Sequence, residues 1–243
     1  MSSERASDLY WGALSERSAG ATLSPLAAHL AERLRSRPRR ALAAPRRAAI
    51  LVALLDRGEG PELLLTRRAL TLNHHGGEVA FPGGMREPEE QRASETALRE
   101  AQEEIGLAPS SVELLGLLDD LRPQRPGTIV TPVVAWIRGV PTFRRQPEEV
   151  DRIFSLPLSG LQQAARWETR EIEWRGQRWP IYHFEGAGER LWGMSAYATL
   201  ILLEQCPGGS PIDIAWLLQP QTHQRFGSGL GEAPELREGE ERS

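Results

Sequence analysis

Gly83-Gly84-Met85 and Arg99-Glu100-Ala101-Gln102-Glu103-Glu104-Ile105-Gly106-Leu107 frame the most informative part of the chain. Between them the spacing predicts a helix over about 89–105, stopped by Gly106, the residue type that most readily takes the left-handed turn ending a helix. At about 100° per residue, Glu100, Glu103 and Glu104 share one stripe, while Leu98, Ala101 and Ile105 form another about 120° away. One side of this helix therefore packs into a core and the other presents three carboxylates. Two carboxylates about 4 Å apart repel by roughly 4 kcal/mol at an effective dielectric near 20. With Glu87 and Glu90 just upstream, such a stripe is either solvated or holds a cation. Donors that are all oxygen, with no histidine or cysteine, favour Mg²⁺ or Mn²⁺ over zinc. Gly83-Gly84 lets backbone approach a metal or phosphate closely, and Arg99 can hold a carboxylate as a bidentate partner.

Outward from this helix, residues 48–55 and 62–66 read as strands joined by Asp56-Arg57-Gly58-Glu59-Gly60-Pro61. A short extended piece, 78–81, runs into Pro82-Gly83-Gly84. Residues 112–118 and 129–137 are further strands, the second expected to be irregular or at an edge because Pro132 lacks a ladder donor. Trp174 with 179–184 suggests a hairpin, and 192–205 a long helix. At the other end, Ser24-Pro25 and the spacing of Leu26, Leu30 and Leu34 predict a helix over about 24–36. These elements mix without strict βαβ alternation, so the expected class is α/β of the α+β type, a mixed β-sheet sandwiched between α-helices. The expected organisation is an Arg-rich helical extension (1–47), a main domain (48–205) and a Gly/Pro-rich tail (206–243) whose last dozen residues are disordered.

Composition narrows the function classes. The 243 residues are 40% hydrophobic and 26% charged, an ordinary globular balance. All 29 basic residues are arginine, so a phosphate-loop lysine, a kinase lysine and a Schiff-base lysine are excluded. The lone Cys206 excludes an internal disulfide and any cysteine-based zinc site. A polar first segment and the lack of a long apolar run lead to the expectation of a cytoplasmic protein without a membrane partner. The first 47 residues hold nine arginines against four acids, which suits either an anionic partner or a solvated helix docked on the domain. With a net charge of −4 the expectation is docking, and no nucleic acid.

Gly84, Glu90 and Arg99-Glu100-x-x-Glu103-Glu104-x-Gly106-Leu107 resemble the signature of the Nudix hydrolases, although Gly84 to Arg99 is one residue longer than the general spacing. Leu65-Thr66-x-Arg68, Leu72, His75, Gly77 and Val79-Ala80-Phe81-Pro82-Gly83-Gly84 look like the segment marking the coenzyme A pyrophosphatase branch. Val130-Thr131-Pro132-Val133-Val134, Glu149-Val150, Phe154-x-Leu156-Pro157-Leu158 and Trp192-Gly193-Met194-Ser195-Ala196 follow in that branch's order. Ala69 and Glu78 depart from it, standing where serine and glutamine are usual, and Glu78 lies close enough to the expected metal to alter metal number or pH optimum.

The resemblance implies the Nudix fold and hydrolysis, dependent on Mg²⁺ or Mn²⁺, of the diphosphate bond of coenzyme A or a derivative. Its products would be 3′,5′-ADP and 4′-phosphopantetheine. It implies Glu100 and Glu104 as principal metal ligands, with Glu103 and the Gly83 carbonyl as further ligands. Glu103, Glu78 and Glu149 are candidates for the general base, with Asp119 and Asp120 as outsiders. Arg68 is a phosphate clamp or a surface ion pair, His75 a phosphate contact or a structural hydrogen-bonder, and Trp192 a substrate-site wall or core. A homodimer is compatible with this reading. The alternatives are a Nudix pyrophosphatase acting on NADH, ADP-ribose or other nucleoside diphosphate derivatives, and a non-catalytic binding module on the same fold.

Overall fold

A computed structural model describes residues 24–123, 127–174 and 177–215. Among these, a mixed sheet of seven strands is built around β1 (Arg46–Asp56) and β6 (Thr128–Ile137), which run parallel from Arg46 opposite Thr128 to Leu54 opposite Trp136. Strand β5 (Val112–Leu117) lies antiparallel on the far side of β6. The two ends of β1 have different partners: its second half pairs with β2 (Pro61–Arg68), and its first half with the short β4 (Gly83–Met85). Strands β3 (Val79–Ala80) and β7 (Val150–Pro157) both pair with β2. A separate antiparallel sheet joins β8 (Trp167–Trp174), β9 (Gln177–Gly186) and β10 (Glu189–Trp192). The helices are α1 (Pro25–Ser36), α2 (Ala93–Ile105), the single turn α3 (Leu158–Leu161) and α4 (Gly193–Gln205).

Alternation along β1 creates the layers. Leu51, Ala53 and Leu55 face a core with Ala97, Ala101 and Ile105 of α2. Val52 and Leu54 face the opposite core, with Ala27, Leu30 and Leu34 of α1 and Leu200, Ile201 and Leu203 of α4. The sheet is thus sandwiched between helices, as the mixed pattern predicts. Among the described residues no helix is long and apolar enough to cross a membrane.

Several elements depart from the sequence reading. Strand β6 is central and buried throughout, neither irregular nor at an edge. Pro132 is tolerated because it lies just beyond the last paired residue of β5, Leu117 opposite Val133. There its carbonyl still accepts from Leu118 N–H at 3.0 Å. Strands β4 and β7 were not expected, being too short or too charged to show a period. Helix α2 starts at Ala93, not near residue 89, because carboxylates capture the backbone upstream. Glu90 accepts from Glu87 N–H at 2.8 Å, and Glu95 from Gln91 and Arg92 N–H at 2.6 and 2.9 Å.

The described part of the arginine-rich segment, residues 24–47, is docked. Leu30 is fully buried, which stabilises by about 2 kcal/mol. Ala27 and Leu34 are buried beside it, and the Arg35–Glu32 pair lies within the helix, so apolar contact docks α1. Beyond the helix, the chain closes on Asp119 and Asp120. Asp119 accepts from Arg37 at 3.2 Å and from Arg40 N–H at 2.9 Å; Asp120 accepts from Leu42 N–H at 2.8 Å and Thr131 Oγ1 at 2.6 Å, and pairs with Arg39. Both aspartates are buried and fully engaged, which removes them as general bases. The expected disorder of the last dozen residues lies outside the described residues. The tail up to residue 215 packs back, with Ile214 buried and the Asp213 carbonyl accepting from Tyr182 Oη at 3.2 Å.

Candidate active site

Helix α2 carries its carboxylates against β4. Glu104 is only 4% exposed, and its Oε2 accepts from the Gly83 N–H at 3.3 Å. Glu100 lies directly over Gly84, where a Cβ atom would stand 2.2 Å from Glu100 Oε1. Only glycine leaves room for that carboxylate to lie against the strand. Glu103, one step round the helix, is largely exposed and accepts from Arg99 Nη1 at 2.8 Å.

Arg99 does more than the single bidentate contact read from the sequence. It donates to Glu90 at 2.9 Å, Glu100 at 2.9 Å and Glu103 at 2.8 Å, and to the Met85 carbonyl at 3.0 Å. Glu90 is in turn held by Thr96 Oγ1 at 2.7 Å. This anchor was missed in the sequence: the Thr96–Glu90 contact joins the loop before the helix to its first turn, and no periodicity reports it. Partial burial opposes the Arg99 charge, but Glu90 and Glu100 more than offset it and raise its pKa. Glu90, although desolvated, is held below the ordinary carboxylate range by Thr96, the Glu87 N–H and Arg99.

The facing wall comes from the end of β2 and the start of β7. A bulge between Arg67 and Arg68 turns these neighbours apart. Arg67 pairs with Asp151 and, at 3.0 Å, with Glu189, whereas the positive charge of Arg68 acts on Glu104. The Arg68 Nε is buried with no hydrogen-bond partner, and the surface ion pair considered for this residue finds no carboxylate among the described residues. Glu149 lies close enough for its charge to act on both Glu100 and Glu104. Glu78 and His75 bond to each other at 3.1 Å, which raises the His75 pKa. Trp192 ends β10, stacked on His183 with ring centroids 6.1 Å apart. The structure thus gathers Glu100, Glu103, Glu104, Gly83, Gly84, Arg99, Arg68 and Glu149, and leaves Glu78 and His75 bonded to each other and Trp192 stacked on His183.

The residues fit a divalent cation. Burial, and then the charge of Glu100, push the Glu104 carboxyl up to about 8. Burial also raises Glu100, against the pull of Arg99. A desolvated carboxylate pair of this kind is relieved by a cation, which makes the ionised form the stable one. Among the described residues no three His, Cys, Asp or Glu side chains converge on one point, because Glu103 is turned to Arg99. The arranged donors are the two carboxylates beside the backbone of β4, an oxygen-only set suited to Mg²⁺ or Mn²⁺.

This arrangement has a consequence for stability. Since the folded Glu104 value, about 8, exceeds the ordinary 4.5, its contribution is fully present below pH 4.5 and is lost as pH rises through 8. In EDTA, the Tm of the wild type should therefore fall between pH 5 and pH 8 relative to that of Glu104→Gln, which mimics the neutral acid. Parallel Tm profiles for the two proteins would contradict the buried-carboxylate account.

Comparison with known proteins agrees with the geometry. The NUDIX domain model matches residues 45–178. A protein described as an uncharacterized Nudix hydrolase, NudL, from Photorhabdus laumondii subsp. laumondii is 36% identical over 160 residues, 66% of this chain and 84% of that protein. A protein of the same description from Yersinia pestis (strain Pestoides F) is 38% identical over 160 residues, covering 66% and 79%. A crystal structure of a MutT/nudix family protein from Enterococcus faecalis is more weakly similar, with a TM-score of 0.43 and 15% identity over 79% of this chain and 71% of that one.

Proposed function

The chain belongs to the Nudix family of hydrolases, and from that membership we propose that it splits the diphosphate bond of coenzyme A or a coenzyme A derivative to 3′,5′-ADP and 4′-phosphopantetheine. Nudix hydrolases act on small nucleotide-derived substrates and generally need a divalent metal ion. Mg²⁺ or Mn²⁺ is proposed here, held by Glu100 and Glu104, with Glu103 and the Gly83 carbonyl as further ligands. When bound, the metal neutralises diphosphate charge and lowers the pKa of an attacking water.

The observation that carries the substrate reading is Arg68. It belongs to the Leu65–Gly84 segment that resembles the coenzyme A branch, and it ends β2 beside Glu104 with a buried Nε that has no partner. A guanidinium in that state is completed by a diphosphate oxygen. The rest of the machinery follows from the chain itself. Arg99 fixes the orientation of Glu100 and Glu103, so the carboxylates need not reorganise during the reaction. Glu149 acts electrostatically on Glu100 and Glu104 and is exposed, so a carboxylate able to accept a proton from water lies near the pair with open access to solvent. Glu103 is tied to Arg99 and Glu78 to His75, so Glu149 is the base this reading favours. Cytoplasmic residence and a homodimer are further parts of the proposal.

Product analysis tests the substrate. The purified protein with Mg²⁺ should convert coenzyme A to 3′,5′-ADP faster than it cleaves NADH, ADP-ribose or a nucleoside triphosphate. Preferential cleavage of one of these others would overturn the substrate and keep the site; no turnover of any, with Mn²⁺ tried as well, would favour a binding module. Arg68→Ala should raise KM about tenfold or more while changing kcat less, since it removes a charge-assisted contact. An unmoved KM would remove Arg68 from substrate binding.

A further inference from the structure

We propose that a second cavity, separate from the carboxylate pair, binds a phosphate monoester dianion. It measures about 180 Å³ and lies where the docked segment after α1 meets the start of α2, lined by Arg39, Arg47, Arg86, Gln91, Thr96 and Thr131 among others. No carboxylate lines it among the described residues.

The charges around this cavity do not cancel. Arg39 is offset by its partner Asp120. Arg86 spends its bonds on a neutral acceptor, the Glu90 carbonyl, with its Nε at 2.7 Å. Arg47 is exposed, and its guanidinium has no hydrogen-bond or ion-pair partner among the described residues. Two positive charges therefore face one cavity without a carboxylate contact, on a chain whose net charge is −4. A dianion matches that charge, whereas a phosphodiester supplies only half of it.

Size and donor inventory narrow the ligand further. The volume falls below the roughly 300–1,000 Å³ of pockets that enclose drug-sized molecules, so the cavity suits a tetrahedral oxyanion group. The hydroxyls of Thr131 and Thr96 already donate to Asp120 and Glu90, at 2.6 and 2.7 Å. The start of α2 is likewise committed, because Glu95 accepts from the Gln91 and Arg92 N–H groups. Recognition therefore rests on the arginine forks, with the Gln91 amide beside them, and these are the donors that suit phosphate.

The phosphate can be free or can be an ester group on a larger molecule, and two arms separate these sources. In the first, the full chain in EDTA is titrated with inorganic phosphate at constant ionic strength, read by calorimetry and by Tm. Wild type should show saturable binding and a rising Tm. Arg47→Gln should weaken Kd by about tenfold, the scale of one charge-assisted contact, with an unchanged Tm in the absence of phosphate. No saturable binding to the wild type, or an equal Kd in the variant, would overturn the proposal. In the second arm, kcat/KM is compared for coenzyme A and for its analogue lacking the 3′-phosphate. If Arg47→Gln abolishes a preference for the phosphorylated substrate, the cavity receives the substrate's own monoester. If the ratio is unmoved while phosphate binding is lost, the ligand is free phosphate. This arm rests on the coenzyme A reading; turnover of neither compound would sink that reading and leave the phosphate titration to decide the cavity.

Discussion

Glu104→Gln lowers kcat by more than about 100-fold, and Glu100→Gln does the same, while both variants remain folded. The magnitude follows from the role proposed for each carboxylate: loss of a residue that merely orients a ligand typically costs about 10- to 100-fold, so loss of a metal ligand should exceed that. Retention of the fold follows from the surroundings. Among the described residues the Glu104 carboxylate bonds only to the Gly83 N–H, and glutamine's amide oxygen can accept the same bond. At position 100, Arg99 keeps Glu90, Glu103 and the Met85 carbonyl when one carboxylate is neutralised. Steady-state rates with Mg²⁺ and with Mn²⁺, beside unfolding curves, check both statements. Either variant turning over at near wild-type kcat would remove that glutamate from the ligand set.

The adjacent glycines should fail in different ways. At Gly84, an added Cβ meets Glu100 Oε1 at 2.2 Å, the far end of a flexible side chain. Gly84→Ala therefore displaces the carboxylate and leaves the sheet intact, so activity drops by an order of magnitude or more while Tm moves little. At Gly83, the added Cβ meets the Ala49 carbonyl oxygen at 2.3 Å and Ile50 Cα at 2.7 Å. Backbone of the central strand cannot step aside, so Gly83→Ala forces β4 off β1 and costs about 1–3 kcal/mol of stability or more, the scale of overpacking. Urea denaturation and metal titration of the two variants separate the cases. Equal stability loss at both positions would mean that Gly84 serves the strand and not the carboxylate.

These outcomes bear on how much was legible in advance. The amphipathic stripes of α2 follow from side-chain period alone, and they assign Ala101 and Ile105 to the core and Glu103 to the outside with no knowledge of a partner. The same stripe misleads at Glu104, which is 4% exposed because β4 covers it. Strand β4 is three residues long and two of them are glycine, too little for any period to register. Asp119 and Asp120, outsiders for the general base in the sequence, are likewise buried by arginines and backbone amides from a segment some 80 positions earlier.

Local sequence by itself determined the elements: where helices stop, which residues alternate across β1 and β2, and that three glutamates ride on one helix. Those properties depend on neighbours within one turn or one pleat, so the chain carries them in its order. Tertiary structure alone decided which of the glutamates are desolvated, that Arg99 holds Glu90, Glu100 and Glu103 together, that Arg68 acts on Glu104 with a buried Nε free, and that Arg47 and Arg86 share a cavity. Each of these is a long-range electrostatic or packing relation, created when β4, β7 and the docked arm close around α2, and such relations have no period for a sequence to display.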